Sequence, residues 1–483
     1  MNPNRDSVIR IDGASLTSAD IVAAAFRRDT VELSDEVEDR VERSHQLGER
    51  ISRERTVYGW STGVGANRGV DVTDANAHAS SLLRSHASSA GPLRAPERVR
   101  AMLVVRLNQL AAGGSGASPA VLRGLAAMVA ADALPEIREY GSIGTGDLTA
   151  LATTALALAG EAPTSNPLPF AVEFGPQDAL PFLSSNAATI GDAAHACVEL
   201  QSLARAYVVV AALTFTAVEG NPEAFGEAVE RVTPFDGAAQ VCRWMRSLTV
   251  DAAAPVRIQD PFGLRTLPQV HGVALDALGR LDSVVCRLAN APSENPVVLA
   301  SPDGEGNLAH HGGFHAAYLT TALDAAVISV AQSAKLVLAR LATLIDPGFT
   351  GLAPFLGDGT PGSSGVMMLE YIAASALGEL RAAAAPSGLQ TVVLSRGVED
   401  DASFASQAAR QAGTAARCVR ILLGCELVSA VRAVRARAIS PASGPLASAL
   451  VACAALPDGI EDRDLTRDLD IAQDLLSDLA ALV

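Results

Sequence analysis

Between Glu139 and Ala155 the chain reads EYGSIGTGDLTALATTA, with three glycines inside six residues before an alanine-rich stretch. A glycine-rich turn feeding a helix N-terminus can cradle a phosphate, open a dinucleotide fold, or simply turn the chain. A phosphate loop ends in Gly-Lys-Ser/Thr, whereas Gly146 is followed by Asp147, whose carboxylate repels phosphate. A dinucleotide pattern begun at Gly144 and Gly146 meets Thr149 where its third glycine belongs, outside any βαβ unit. What remains is a tight turn with Asp147 in the first helical turn, where its charge favours the helix dipole.

Three other groups carry chemistry-bearing side chains. GWSTG (residues 59–63) fits the G-x-S-x-G pattern with Ser61 as nucleophile, but the loop continues where an elbow needs a helix. HHGGFH offers His310, His311 and His315 with Asp303 and Glu305 upstream. Two histidines four apart bind zinc together on a helix, and Gly312-Gly313 disfavours one, so a loop cluster beside a pocket is expected and no metal site. IQDPFGLRTLPQV places Gln259 and Arg265 around a proline-bracketed bend, where a guanidinium fork can grip a substrate carboxylate.

The elements that must hold these groups are helices. The chain of 483 residues is 49% hydrophobic and 4% aromatic, a composition dominated by Ala, Leu and Val that suits closely packed helices. The net charge is -16 and the arginines are dispersed, which argues against a nucleic-acid partner. Thr17 or Ser18 caps a first helix, and Ser34 caps a second whose Val37, Val41, Leu47 and Ile51 trace one face. Helices are expected from Ala101 to Ala112 and, with Ser118 as cap and Pro119 in the first position, to Ala131. They dominate from Asp192 onward, apart from glycine turns near Gly263, Gly304 to Gly313, and Gly348 to Gly365. Ala206 to Val218 is too short for a membrane span, and the second apolar stretch carries Lys335 and Arg340. Both are expected to be core helices. The N-terminus has no signal-peptide pattern and the six cysteines no C-x-x-C pairing, so a cytoplasmic protein with reduced cysteines is expected.

In order along the chain, VYGWSTGVG, LLRSHASSAGP, RLNQLAAGGSG, LPEIREYGSIGTGDL, LSSNAAT, IQDPFGLRTLPQV, SENPVV, GGFH and GVEDDAS form a set. On these blocks the sequence resembles the histidine, phenylalanine and tyrosine ammonia-lyases and aminomutases, the aromatic amino acid lyase family, over nearly its whole length. The resemblance implies a mainly α fold: a long-helix bundle with small irregular loops and minor β in the N-terminal part. It also implies a homotetramer with active sites assembled from several subunits. The expected organisation is a tail over residues 1–9, an active-site region over 10–215, and a helical-bundle region over 216–483 of the same catalytic unit.

In that family an Ala-Ser-Gly tripeptide cyclises and loses water to give methylideneimidazolone, an electrophile that captures the substrate. The family loop reads G-S-x-G-A-S-G-D-L; here it reads G-S-I-G-T-G-D-L, one residue shorter, with Thr145 in place of the serine. Residue by residue, the resemblance implies that Tyr58 is the base removing the β-proton, which requires a lowered pKa, and that Arg265 binds the carboxylate. Asn186 matches the asparagine beside the prosthetic group and Phe314 the aromatic near it. His86 and Glu399 fall where histidine-type members select their substrate, favouring a polar or phenolic end. Phe262 replaces a tyrosine, Val398 a glutamine, and Asp401 a histidine.

The expected function is therefore an ammonia-lyase-like elimination or addition at a C–N or related bond of a carboxylate-bearing amino acid or derivative. Gly144-Thr145-Gly146 is expected to stay uncyclised, with no external cofactor. The alternatives are a methylideneimidazolone-dependent ammonia-lyase or aminomutase and a catalytically silent binding homologue.

Overall fold

Thr17 starts the first helix with a reciprocal cap: its hydroxyl accepts from the Asp20 amide at 3.1 Å and donates to the Asp20 carboxylate at 2.6 Å. The computed structural model describes residues 8–251, 253–303, 305–441 and 443–483. Most of the expected 1–9 tail, residues 1–7, lies outside these; Val8 and Ile9 belong to a strand, Val8–Ile11.

Helices account for nearly all regular structure, the longest being Ala187–Ala217, Leu267–Ala289, Ala317–Ile345 and Ala405–Ala436. The expected helix at Ala101 begins earlier, as Pro96–Ala111, and is buried on every side from Val99 onward. Helix Val37–Ser52 buries Val37, Val41 and Leu47, as the spacing predicts. Ser34 is not its side-chain cap: Glu36 holds the cap position, and Ser34 contributes its carbonyl to the Val37 amide. Ser118 likewise precedes helix Pro119–Ala130 without a capping side chain. Its amide instead donates to the buried Asp178 carboxylate at 2.6 Å.

Three two-stranded pieces complete the fold. Val8–Ile11 pairs in parallel with Thr30–Leu33, and Ala90–Leu93 antiparallel with Arg138–Tyr140. The third, Val297–Ala300 with Gly306–Ala309, corrects two expectations, since strand structure is not confined to the N-terminal part and this stretch is not all glycine turn. Val298 and Leu308 alternate inward into an apolar cluster, which only pairing allows.

The chain divides into two compact units. One comprises residues 1–198, 281–323 and 386–410, and the other 199–280, 324–385 and 411–483. The sequence reading placed one boundary at 215/216; here four of the cuts fall inside the longest helices. Each unit encloses a fully buried ion pair: Arg106 with Glu294 at 2.7 Å in the first, Arg340 with Glu426 at 2.6 Å in the second.

Segments Ala179–Ala217 and Ala317–Ile345 are long and apolar enough to cross a membrane, so the short stretch at Ala206 to Val218 belongs to a longer helix than expected. Most of each is buried against protein, and Arg340, inside the second, is ion-paired with none of its side chain exposed. Both are core helices. None of the six cysteines is in a disulfide, and of the six only Cys286 is not buried.

Candidate active site

Val57 and Trp60 flank Tyr58 and are buried with Leu47, Val298 and Leu308 in one apolar cluster. This anchors a turn that has no regular structure of its own. Ser61 closes it, accepting from the Val57 amide at 3.0 Å and donating to the Val57 carbonyl at 3.3 Å. That hydroxyl serves the turn. Tyr58 directs its hydroxyl at the Gly65 amide, from which it accepts at 2.8 Å.

Gly65 holds φ +56°, and a Cβ there would lie 2.7 Å from Ser395 Oγ and 3.2 Å from a Glu399 carboxylate oxygen. Only glycine lets the two loops approach this closely. Ser395, which the sequence reading missed, accepts from the Ala66 amide at 3.0 Å and so docks the loop bearing Glu399 against the Tyr58 turn. Tyr58 and Glu399 are thus brought together. Burial pushes the Tyr58 phenol above its ordinary value; the Gly65 amide and Arg68 pull it down, while the Glu399 carboxylate adds to the rise. Within one chain this is the reverse of the lowering expected of a base, because the pull of the Gly65 amide and Arg68 is too weak to offset the burial.

The glycine loop is tied on both sides of Thr145. Gly144 and Gly146 take φ +86° and +109°. The Gly144 carbonyl accepts from Ser403 Oγ at 2.8 Å and the Ala316 amide at 3.1 Å. The Gly146 amide donates to Asn186 Oδ1 at 3.1 Å, and the other end of that side chain donates to the Phe314 carbonyl. Thr145, half-buried, stands between these two tethers. Asn186, Phe314 and the loop are therefore one assembly.

Asp147 caps no turn of its own helix with its side chain. Instead its buried carboxylate accepts from the Thr189 amide at 2.8 Å, the Thr189 hydroxyl at 2.9 Å and the Ser142 hydroxyl at 2.6 Å. It faces the first turn of helix Ala187–Ala217, a different helix from the one expected. Burial raises its pKa, against those three hydrogen bonds.

His86 ends helix Ala75–His86, with Nδ1 2.9 Å from the Leu82 carbonyl, which leaves Nε2 as the acceptor. His310 accepts the Tyr58 amide at 3.1 Å and His311 is held by Asn295 and Glu294, so neither faces a common centre with the other. His315 lies 3.3 Å from Asp401.

Arg265, Gln259 and Phe262 belong to the second unit and form a group of their own. The guanidinium lies over the Phe262 ring at 4.6 Å and donates to Gln259 Oε1. Its buried Nε has no partner. A cavity of about 250 Å³ opens beside it, lined also by Asn221, Glu223 and Asp260.

The model of the family described as aromatic amino acid lyase matches residues 16–455. The chain is 32% identical to a histidine ammonia-lyase of Geobacillus thermodenitrificans, with 96% of each covered. It is 31% identical to that of Sorangium cellulosum, again with 96% of each covered. Its fold matches the phenylalanine aminomutase of Pantoea agglomerans with a TM-score of 0.91, 25% identity and 97% and 98% of the two chains covered. It also matches ergothionase from Treponema denticola, an ergothioneine degrading enzyme, with a TM-score of 0.89, 23% identity and 98% and 99% covered. Fold and site together define a lyase of the ammonia-lyase type. The chain belongs to the aromatic amino acid lyase family.

Members of this family generate methylideneimidazolone from their own backbone. The residues here depart from the tripeptide that forms that group. An alanine Cβ in the position of Gly144 would stand 2.1 Å from Ser403 Oγ, 2.7 Å from the Ala405 amide and 3.0 Å from that of Phe404. Gly144 cannot be the alanine of the family tripeptide, and the central residue is a β-branched threonine. Gly144→Ala is accordingly expected to destabilise the protein by about 1–3 kcal/mol through overpacking and a left-handed alanine, read as a lower urea midpoint. An unchanged midpoint would show that the loop is slack.

Proposed function

We propose that this protein is a lyase acting at the C–N bond of a carboxylate-bearing amino acid or derivative without a methylideneimidazolone. The observation that supports this reading is the altered loop: it is one residue shorter than the family's, Gly144 leaves no room for the family's alanine, and β-branched Thr145 stands in place of its serine. Arg265, with an unpartnered Nε and the Gln259 amide beside it, holds the substrate carboxylate. Tyr58 takes the β-proton; the C–H electron pair becomes the C=C bond, and the C–N pair leaves with the amine. Addition is the same path reversed. His86 and Glu399 select a polar end on the substrate, and Phe262 and Phe314 line its apolar flank. Because no electrophile activates the amine, the substrate brings a better leaving group or a more acidic β-hydrogen than an ordinary amino acid has. The unit is a homotetramer, in which residues of neighbouring copies complete each site.

One observation favours the second reading, a methylideneimidazolone-dependent ammonia-lyase or aminomutase: two donors polarise the Gly144 carbonyl, as ring closure would require. Intact-mass measurement separates the two without knowledge of the substrate. The expected result is the full mass of the chain; a mass lighter by two waters would establish the cyclised enzyme.

A further inference from the structure

HHGGFH sets two histidines side by side, and the hydrogen bonds around them fix where each ring carries its proton. A backbone amide can only donate. The Tyr58 amide donates to His310 Nε2 at 3.1 Å, so that nitrogen is bare and the one proton of the neutral ring sits on Nδ1. Arg55 Nη2, 3.4 Å from Nδ1, therefore brings that edge a positive charge and no hydrogen bond. His311 takes the opposite tautomer: its Nδ1 accepts from the Gly313 amide at 2.9 Å, which leaves Nε2 to donate to the Glu294 carbonyl at 2.5 Å.

His310 follows strand Gly306–Ala309, whose Leu308 is buried in one cluster with Val57 and Trp60, and so ties that strand to the turn of Tyr58. Its ring also stands edge-on to the tyrosine ring, 6.4 Å between centroids. Tyr58 is thereby held at its amide by His310 and at its hydroxyl by the Gly65 amide at 2.8 Å. A second proton on His310 would turn Nε2 into a donor facing the donor it now accepts. The contact exists in the neutral form alone. His310 is exposed, so solvent sets its protonation. The groups around it are Arg55, from the segment after helix Val37–Ser52, His311 on its own loop and the Tyr58 phenol. Partial burial, then Arg55 and His311, disfavour the charged ring and hold its pKa below the ordinary imidazole value of about 6.5. The contact is complete at neutral pH and is lost as pH falls through that lowered value.

We propose that His310 is a positioning residue for the proton transfer: neutral, it holds the Tyr58 amide and with it the aim of the phenol, and a second proton on its ring releases both. This rests on the assignment of Tyr58 as the base.

Rates at saturating substrate from about pH 5 to 8, for the wild type, His310→Gln, His310→Leu and Tyr58→Phe, test it. Glutamine keeps an acceptor near the place of Nε2 and takes up no proton. In the wild type, log kcat should rise with pH more steeply below the His310 pKa than above it. His310→Leu should lower kcat at neutral pH by about threefold to tenfold, the worth of one hydrogen bond, with KM little changed because Arg265 is untouched. His310→Gln should restore kcat, and both variants should lack the break in slope. Amide exchange over residues 55–64, read by mass spectrometry, should be faster in His310→Leu than in His310→Gln or the wild type. A residue with a structural role alone would lower the urea midpoint and leave the shape of the profile unchanged. A break that persists in both variants, a glutamine variant as slow as the leucine one, or equal exchange in all three overturns the proposal. Full rate in Tyr58→Phe removes the base and this proposal with it; a rate lost there and kept in His310→Leu overturns this proposal alone.

Discussion

Tyr58→Phe is expected to lower kcat by about 10²–10⁴-fold, the usual contribution of a positioned general base, with substrate binding largely kept. The variant removes one oxygen and leaves the buried Val57 and Trp60 that anchor the turn untouched, so the turn survives. The Gly65 amide loses its acceptor, a modest cost of about 1 kcal/mol in a half-buried position. Assays follow the substrate that the wild-type chain turns over best among histidine, the aromatic amino acids and their N-methylated forms. The pH profile sharpens the test. A phenol whose pKa is raised by burial and by Glu399 is protonated at neutral pH, so the rate should climb toward alkaline pH in the wild type. This climb should be absent in Tyr58→Phe. A rate untouched by the substitution removes Tyr58 from the chemistry; a profile flat above neutrality means that another copy's cation lowers the phenol.

Glu426→Ala is expected to cost about 3–5 kcal/mol, because it strands a guanidinium in the core. Arg340 is fully buried, donates to both Glu426 carboxylate oxygens at 2.6 and 2.7 Å, and to Tyr207 Oη at 3.1 Å. A further donor reaches the Gly263 carbonyl at 3.2 Å, within the turn that carries Phe262 and Arg265. A Cβ at Gly263 would lie 3.1 Å from that of Ala339, so the turn is pressed against the Arg340 helix. Losing the pair therefore loosens the turn that carries Arg265 as well as the core. Chemical denaturation should show a large fall in midpoint, while Arg340→Met combined with Glu426→Leu restores most of it, since an apolar pair leaves no charge behind. A small loss in Glu426→Ala would mean that water reaches Arg340.

The helical class was legible because composition and spacing act locally: Val37, Val41 and Leu47 lie on one helical face whatever surrounds them. The family was legible because its blocks are short and contiguous, each carrying its own residue types in its own order. Caps were only partly legible. Thr17 reaches its own Asp20, three residues on, whereas the amide after Ala117 is held by Asp178, sixty positions away.

By itself the sequence determined the mainly helical class, the family, the shortened Gly144-Thr145-Gly146 turn and the identities of Tyr58, Asn186, Arg265 and Glu399. Tertiary structure alone decided what those residues meet. Nothing near Gly144 in the chain announces that Ser403 and Ala316 would share its carbonyl, or that Asp147 would serve the helix of Thr189 and not its own. Nor does the sequence around Tyr58 show that burial would raise its pKa, or that Gly65 and Ser395 would bring Glu399 beside it to add to the rise. The reason is physical: backbone preferences and periodicity are set by neighbours in sequence, while desolvation, close approach and hydrogen-bond pairing depend on which distant segments the packed core brings together.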